Sequence, residues 1–210
     1  MINLRRAQEP TFFIPGPAGK LEAIATPPVQ PGRKVCAIIC HPHPLYGGTM
    51  HNKVVTTVQR AFQNLGLDVV RFHFRGVGES EGSYDNAVGE LQDLLAVVAW
   101  VRENYSGYAI WLAGFSFGAC IAARGAVDVQ PQQLVMVAPA VGNFPLDLPM
   151  MAYPCLVVQG EKDEIVSPQA VYDWVASQQP RPRLIKLAEA THFFHGRLQV
   201  LRETVEGELG

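Results

Sequence analysis

From Val35 onward, short apolar runs alternate with amphipathic stretches, and this alternation restricts the fold more than any other feature of the chain. The apolar runs are rich in β-branched and aromatic residues, as buried strands are. In the stretches between them, apolar residues recur at helical spacing and leave a polar face. Strands that alternate with helices build a mostly parallel sheet covered on both faces. The sequence therefore predicts a three-layer α/β fold.

The strands of this sheet are predicted at six places, which are Val35–Cys40, Leu67–Phe74, Ala109–Ala113, Leu134–Ala138, Cys155–Gln159 and Leu184–Leu187. Two earlier segments, Thr11–Pro15 and Leu21–Thr26, are joined by turn residues and predict an antiparallel edge. Helices are predicted around residues 54–65 and 91–101, and over Phe117–Val127, Gln169–Ser177 and His195–Glu206. Ser167 and Pro168 would open the fourth helix as its cap and first-turn residue.

The length and charge of the chain limit its organisation and its partners. At 210 residues it is long enough for one domain of this kind and too short for two domains with a linker, so we expect a single domain over residues 1–210. Its 17 basic and 19 acidic residues are scattered, which leaves no basic stripe to neutralise phosphates. Nucleic acid is therefore not an expected partner, and the oligomeric state is open between a monomer and a weak dimer.

The apolar segments and the cysteines indicate the compartment. No run reaches the ~18 apolar residues of a membrane span, and the amino terminus has no signal-peptide core. All four cysteines lie in apolar runs, and Cys36 and Cys40 are too far apart on one predicted strand to form a disulfide. Buried, reduced thiols fit a cytoplasmic protein without a membrane partner.

A G-x-S-x-G string is the first feature that points to chemistry. Gly114-Phe115-Ser116-Phe117-Gly118 follows a predicted strand and precedes a predicted helix, which is the context of a nucleophile elbow. Such a turn holds the serine in a strained backbone conformation, and its glycines permit close packing. The helix that starts there directs N–H groups at a developing oxyanion. A plain Gly-rich turn that cradles phosphate is the alternative.

An acid and a base follow Ser116 in the order that acyl transfer needs. Asp163 comes directly after the predicted strand Cys155–Gln159, with Glu161 and Glu164 as competitors. His192 follows the last predicted strand and is preferred as the base over His195, which could be a surface residue at a helix start. A carboxylate can orient the imidazole, and the imidazole can take the proton of the serine.

The loop after the strand Val35–Cys40 is expected to complete an oxyanion hole beside the N–H of Phe117. It reads His41-Pro42-His43-Pro44-Leu45, and neither proline has an N–H to donate. The backbone of His43 is therefore the first candidate donor and that of Leu45 the second. A metal site at His41 and His43 lacks a third ligand in the sequence, so none is expected.

Another Gly-rich segment, Arg75 to Gly82, resembles a phosphate-binding loop but carries two glutamates that would repel an anion. A tight turn that frames the site is the preferred interpretation.

Together, the strings HPHPLYGG (41–48), FRGVGESEG (74–82) and GFSFG (114–118) resemble the small bacterial α/β-hydrolases, over nearly the whole chain. Dienelactone-hydrolase and prolyl-oligopeptidase-like branches are also similar. The resemblance implies an eight-stranded, mostly parallel sheet, a triad of Ser116, Asp163 and His192, and no large lid.

These residues predict a serine hydrolase that acts on small carboxylic esters through an acyl-enzyme, without a cofactor. Thioester hydrolysis, acyl transfer and peptide hydrolysis could use the same residues, and the fold could also serve as a binding or scaffold module. Only residues 139–154 separate two predicted strands, which leaves room for a small cap alone. Five apolar residues there could line a shallow wall beside Ser116 or pack the loop onto the sheet; they are Phe144, Leu146, Leu148, Met150 and Met151.

Overall fold

A computed structural model describes residues 10–30, 32–144, 146 and 153–210. The strands are β1 Phe12–Gly16, β2 Gly19–Thr26, β3 Val35–Cys40, β4 Asp68–Phe72, β5 Ala109–Phe115, β6 Gln133–Val137, β7 Cys155–Gly160 and β8 Arg183–Leu187. The helices are α1 Lys53–Asn64, α2 Gly89–Asn104, α3 Phe117–Val129, α4 Pro168–Ser177 and α5 Leu198–Leu209. A short 3-10 helix covers Pro44–Tyr46.

All eight strands belong to one sheet in the order β1-β2-β4-β3-β5-β6-β7-β8. The pairs β1–β2 and β2–β4 are antiparallel, whereas every neighbouring pair from β4 to β8 is parallel. The predicted strands, their antiparallel edge and the mostly parallel eight-stranded sheet are confirmed. Because β3, β5, β6 and β7 run parallel side by side, their carboxyl ends meet at one edge, where open α/β sheets place their sites.

Helices cover both faces of the sheet, and each face has its own hydrophobic core. One core contains residues of α2, α3 and α4, such as Val98 and Ile121, and the other contains residues of α1 and α5, such as Phe62 and Leu201. Adjacent residues of β3 alternate between them, with Ile38 in the first core and Ile39 in the second. Two-sided burial explains why the central strands have continuous apolar sequences.

Several elements differ in extent from their prediction, and for β4 and α5 the difference has a local cause. β4 ends at Phe72 rather than at residue 74, because the N–H of Phe74 donates to a ring nitrogen of His41 (3.0 Å) instead of to a strand carbonyl. α5 begins at Leu198 rather than at residue 195, because Phe194 (φ 52°) and Gly196 (φ 68°) have left-handed backbone that a helix cannot contain.

All four cysteines are free and buried, as predicted, and burial raises the pKa of Cys36 and Cys120 to about 12. Ser167 caps α4 through a hydrogen bond from the N–H of Ala170, and Pro168 is its first residue, also as predicted. Within the described ranges, no helix combines the length and apolar character that crossing a bilayer requires.

Candidate active site

Ser116 lies in the sharp turn between β5 and α3, at the carboxyl edge of the sheet. Its backbone has φ 55° and ψ −116°, a conformation that residues with a side chain rarely adopt. The turn is anchored on the neighbouring strand, because the Ser116 N–H donates to the carbonyl of Val137 (2.9 Å). Strain at this residue is the predicted feature of a nucleophile elbow.

Gly114 and Gly118 permit the close packing of this turn. A Cβ on Gly114 would lie 2.2 Å from the Gly118 carbonyl oxygen. A Cβ on Gly118 would lie 2.4 Å from the carbonyl oxygens of both Cys40, the last residue of β3, and His41, which follows it. Any side chain at either position would therefore separate α3 from the sheet. Both glycines of the string are required because neighbouring backbone atoms leave no room for a Cβ, not because the turn needs a flexible backbone.

The structure brings Ser116, His192 and Asp163 into one hydrogen-bonded chain. His192 Nδ1 lies 2.8 Å from Asp163 Oδ2, and Nε2 lies 3.1 Å from Ser116 Oγ. Because a carboxylate can only accept, Nδ1 carries the hydrogen and Nε2 is free to accept from the serine hydroxyl. All three side chains are buried, and the ring of Phe115 packs on the imidazole at 5.0 Å between centroids.

The carboxylate of Asp163 is fully engaged. Its Oδ1 accepts the N–H groups of Ile165 (2.9 Å) and Val166 (2.8 Å), and its Oδ2 accepts from Gln159 Nε2 (2.9 Å) as well as from His192. Burial alone would raise the pKa of Asp163, but the hydrogen bonds from His192 and from the Val166 and Ile165 N–H groups outweigh it, and the pKa lies below its usual value. The carboxylate is therefore charged at neutral pH.

The alternative candidates for the acid and the base lie outside the hydrogen-bonded chain of Ser116, His192 and Asp163. Glu161 is exposed, and Glu164 is exposed but its carboxylate accepts the backbone N–H of His192 (3.1 Å). His195 is exposed, with its ring stacked on Phe193, and it precedes α5 rather than starting it. Of the two histidines, His192 is the one that the structure brings to Ser116.

The loop after β3 brings His43 to the same site. The His43 ring contacts the Phe117 ring at 4.9 Å, and its Nδ1 accepts the N–H of Leu45 (3.2 Å) to cap the 3-10 helix. Leu45, the second candidate oxyanion donor, thus has its N–H engaged. In the described part of the chain, the N–H groups of His43 and Phe117 have no hydrogen-bond acceptor in the protein. Both remain available to a ligand.

His41 is a structural residue within this loop. It is fully buried, its Nδ1–H donates to the Pro42 carbonyl (2.6 Å), and its Nε2 accepts from Phe74. Burial lowers the pKa of His41 to about 3, so the ring is neutral. Both ring nitrogens are occupied, which leaves none to bind a metal ion.

The segment from Arg75 to Gly82 is held by protein groups. Arg75 donates to both carboxylate oxygens of the buried Asp93 on α2, at 2.7 Å in its shortest contact. Glu22 on β2 accepts the N–H of Glu79 (2.9 Å), and its Oε2 lies 2.9 Å from His73 Nδ1. These bonds tie the segment to β2 and α2, as a tight structural turn would be tied.

A pocket of about 260 Å³ opens beside Ser116. Aromatic and aliphatic side chains dominate its lining, which consists of His43, Tyr46, Ser116, Phe117, Ala140, Asn143, Phe144, Ile165 and Val166. Burial lowers the pKa of His43, so the lining is neutral at pH 7. Tyr46 and Ile165 are 86 % and 58 % exposed and form its mouth.

The predicted wall residues separate into two roles. Phe144 lines the pocket and contacts the Phe117 ring at 4.9 Å. Leu146 is buried in the core instead, and its carbonyl accepts from Trp174 Nε1 on α4 (3.3 Å). The other three, Leu148, Met150 and Met151, lie outside the described residues.

Comparison with known proteins assigns the chain to a family. Residues 34–150, more than half of the chain, match the family described as serine aminopeptidase, S33. An α-β serine hydrolase homologue from Coxiella burnetii is 49 % identical, with 97 % of this chain and 99 % of that chain covered and a TM-score of 0.95. The chain belongs to the α/β serine hydrolase family.

Two further relatives are similar over nearly the whole chain. XC6422 from Xanthomonas campestris, described as a serine hydrolase without a lid, is 43 % identical over 96 % of this chain and 93 % of its own, with a TM-score of 0.91. The uncharacterized protein RP471 of Rickettsia prowazekii is 33 % identical, over 95 % of this chain and 88 % of its own. The predicted three-layer fold is confirmed, and the described residues of this chain include no large lid.

Sequence reasoning missed several residues of this family member's site. Gln159 and Asn143 belong to no motif, and Tyr46, although it is part of the HPHPLYGG string, was given no role; all three reach the site through folding. Gln159 had one signal, since a polar side chain interrupts the apolar run of β7 next to its end. Glu164 was weighed only as a rival to Asp163, whereas it holds the backbone of His192.

Proposed function

We propose that the protein is a serine hydrolase that cleaves small, uncharged carboxylic esters through an acyl-enzyme on Ser116. The observation that carries this function is the continuous hydrogen-bonded chain from Ser116 Oγ through His192 to Asp163 Oδ2. A serine hydroxyl is a weak nucleophile unless a base accepts its proton, and the base needs a partner that fixes its tautomer. Both are present at hydrogen-bond distance.

The first half-reaction acylates the serine. His192 Nε2 takes the proton of Ser116 Oγ as the oxygen attacks the ester carbonyl carbon, and the carbonyl π electrons move to its oxygen. The N–H groups of His43 and Phe117 stabilise that oxyanion. The intermediate then collapses, the bond to the alcohol oxygen breaks, and the leaving alcohol takes the proton from His192.

The second half-reaction returns the free enzyme. His192 removes a proton from water, whose oxygen attacks the acyl carbon and forms a second tetrahedral oxyanion in the same place. Collapse breaks the bond to Ser116 Oγ, which recovers the proton from His192. Asp163 keeps its charge throughout and stabilises the protonated imidazole in both halves.

Size and charge of the pocket support the substrate class. At about 260 Å³ it is smaller than the roughly 300–1,000 Å³ of pockets that enclose drug-sized ligands. Its neutral, largely apolar lining favours an uncharged acyl group, because an ammonium or carboxylate would lose its hydration there without gaining an opposite charge. We therefore expect esters to be better substrates than peptides with a free amino terminus.

A matched substrate panel tests this function. Purified protein would be assayed on an ester, a thioester and an aminoacyl amide that share one acyl size, with Ser116→Ala as the control. We expect Ser116-dependent turnover that is fastest on the neutral ester. Turnover of the aminoacyl amide alone would contradict the esterase proposal and indicate an aminopeptidase. Turnover that survives in Ser116→Ala would show that another residue is the nucleophile.

A further inference from the structure

Gln159 makes an unusual set of contacts behind the proposed triad. It is the second-last residue of β7 and is fully buried. Its Nε2 donates to Asp163 Oδ2 (2.9 Å) and to the Gly160 carbonyl (3.1 Å). The oxygen at the other end of the amide, Oε1, is buried and has no hydrogen-bond partner among the described residues.

The contact with Asp163 determines which way this amide faces. A carboxylate accepts hydrogen bonds but does not donate them, so only the NH₂ end of Gln159 can face Oδ2. If the amide were turned over, Oε1 would face Asp163 Oδ2, and two acceptors would lie against each other without a hydrogen between them. The molecule therefore keeps an unsatisfied buried acceptor, which costs folding free energy, in order to donate to Asp163.

Asp163 Oδ2 is also the oxygen that His192 uses. Nδ1 of His192 and Nε2 of Gln159 reach it at 2.8 and 2.9 Å, so two donors share one acceptor. A second donor draws negative charge on that oxygen toward itself and leaves less for the imidazole. It also restricts rotation of the carboxylate, whose other oxygen is already held by two backbone N–H groups.

We infer that Gln159 is a positioning residue that fixes the Asp163 carboxylate and limits how strongly this carboxylate favours the protonated form of His192. The inference rests on the proposed function, since it concerns the base of that mechanism. Without the amide, Oδ2 would hold a protonated imidazole more firmly. A higher pH would then be needed to free His192 as a base.

The other charged and titratable groups around His192 are independent of Gln159. The Glu164 carboxylate accepts the backbone N–H of His192, and His43 lines the pocket beside Ser116. His195 is separated from the imidazole by the Phe193 ring, and the exposed Glu189 pairs with Lys162. A substitution at position 159 leaves all of these groups in place, so a change in pH dependence would report on Asp163 and His192.

Gln159→Met tests the inference, because methionine has a similar length and no donor. The readout is the second-order rate constant for labelling by a fluorophosphonate, measured across the pH range, together with thermal unfolding. We expect the acid limb of the labelling profile to move up by about half a pH unit to one unit, the equivalent of one hydrogen bond. The unfolding temperature should hold or rise, because the unsatisfied acceptor is removed. Gln159→Leu should give the same shift and replaces Gln159→Met if that variant does not fold.

Gln133→Met is the matched control. Gln133 is also a buried glutamine, it starts the neighbouring strand β6, and its amide donates to the next carbonyl, that of Leu134 (2.9 Å). Its substitution should leave the labelling profile unmoved. An unmoved profile in both position-159 variants, with a lowered unfolding temperature, would overturn the inference and make Gln159 merely structural. Failure of the wild-type protein to label at any pH would instead overturn the proposed function.

Discussion

Acid should destabilise this protein through His41, a residue that takes no part in the proposed chemistry. The ring is fully buried between the Pro42 carbonyl and the Phe74 N–H, and it is neutral when both bonds are made. Burial lowers the pKa of His41 from 6.5 to about 3 in the folded protein. As the pH falls below 6.5, the unfolded chain therefore takes up a proton that the folded chain does not.

The size of the effect follows from this difference. Because the pKa is depressed by folding, the stability linked to His41 is fully present above pH 6.5 and is lost as the pH falls toward about 3. At about 1.36 kcal/mol per pH unit, acidification from about pH 7.5 to about pH 5 removes about 2 kcal/mol from the free energy of unfolding. A small domain has only about 5–15 kcal/mol in total, so the change is measurable.

Urea unfolding at about pH 7.5 and about pH 5 measures this loss of unfolding free energy, with His41→Gln as the control. Glutamine can donate and accept as His41 does but cannot take up a proton. Its own stability need not match that of the wild type, since only the change with pH is compared. Other groups with lowered pKa values, such as His43 and His73, contribute to the loss of stability in acid in both the wild type and the variant. We expect the wild type to lose about 2 kcal/mol more than the variant. Equal losses would refute the assignment of the acid sensitivity to His41.

The remaining predictions concern the site. His192→Ala should lower kcat by several powers of ten and His195→Ala by less than about tenfold, because only the first imidazole contacts Ser116; comparable losses in ester turnover would show that the histidines are misassigned. Gly118→Ala should lower the free energy of unfolding by roughly 1–3 kcal/mol through overpacking, whereas Gly207→Ala on α5, where an added Cβ meets nothing, should not destabilise; denaturant melts of the pair check this. For p-nitrophenyl esters, kcat/KM should peak at roughly two to six acyl carbons and show no jump at an emulsion, since each further CH₂ would stay in water. A steady rise to long chains would reveal an acyl channel.

Much of the fold could be predicted because periodic patterns are local. Two-sided burial makes the central strands apolar throughout, and the Gly-rich elbow needs its glycines for contacts that any such turn makes. Ser116, Asp163 and His192 were predicted together because each follows a strand, and parallel strands end at one edge. The order of these residues in the chain thus carries spatial information.

What could not be predicted depends on contacts between residues that are distant in sequence. β4 stops early because His41, 33 positions away, accepts the N–H of Phe74. Gln159 has no motif around it, and its role depends on an Asp163 oxygen that it shares with His192. Gly196, with a φ of 68°, lies inside the helix predicted from residue 195 and delays α5, whereas Phe194, which precedes that helix, has a positive φ without any signal in its residue type.

The identity of the nucleophile is tested most directly by mapping the site of fluorophosphonate labelling. Intact-mass and peptide mass spectrometry of the labelled wild type should find one adduct, on the peptide that contains Ser116. Ser116→Ala should carry no adduct and should unfold at nearly the wild-type temperature, because the hydroxyl contributes little packing. An adduct on another residue, or labelling of Ser116→Ala at the wild-type rate, would contradict the proposed mechanism, as would a folded wild-type protein that does not react.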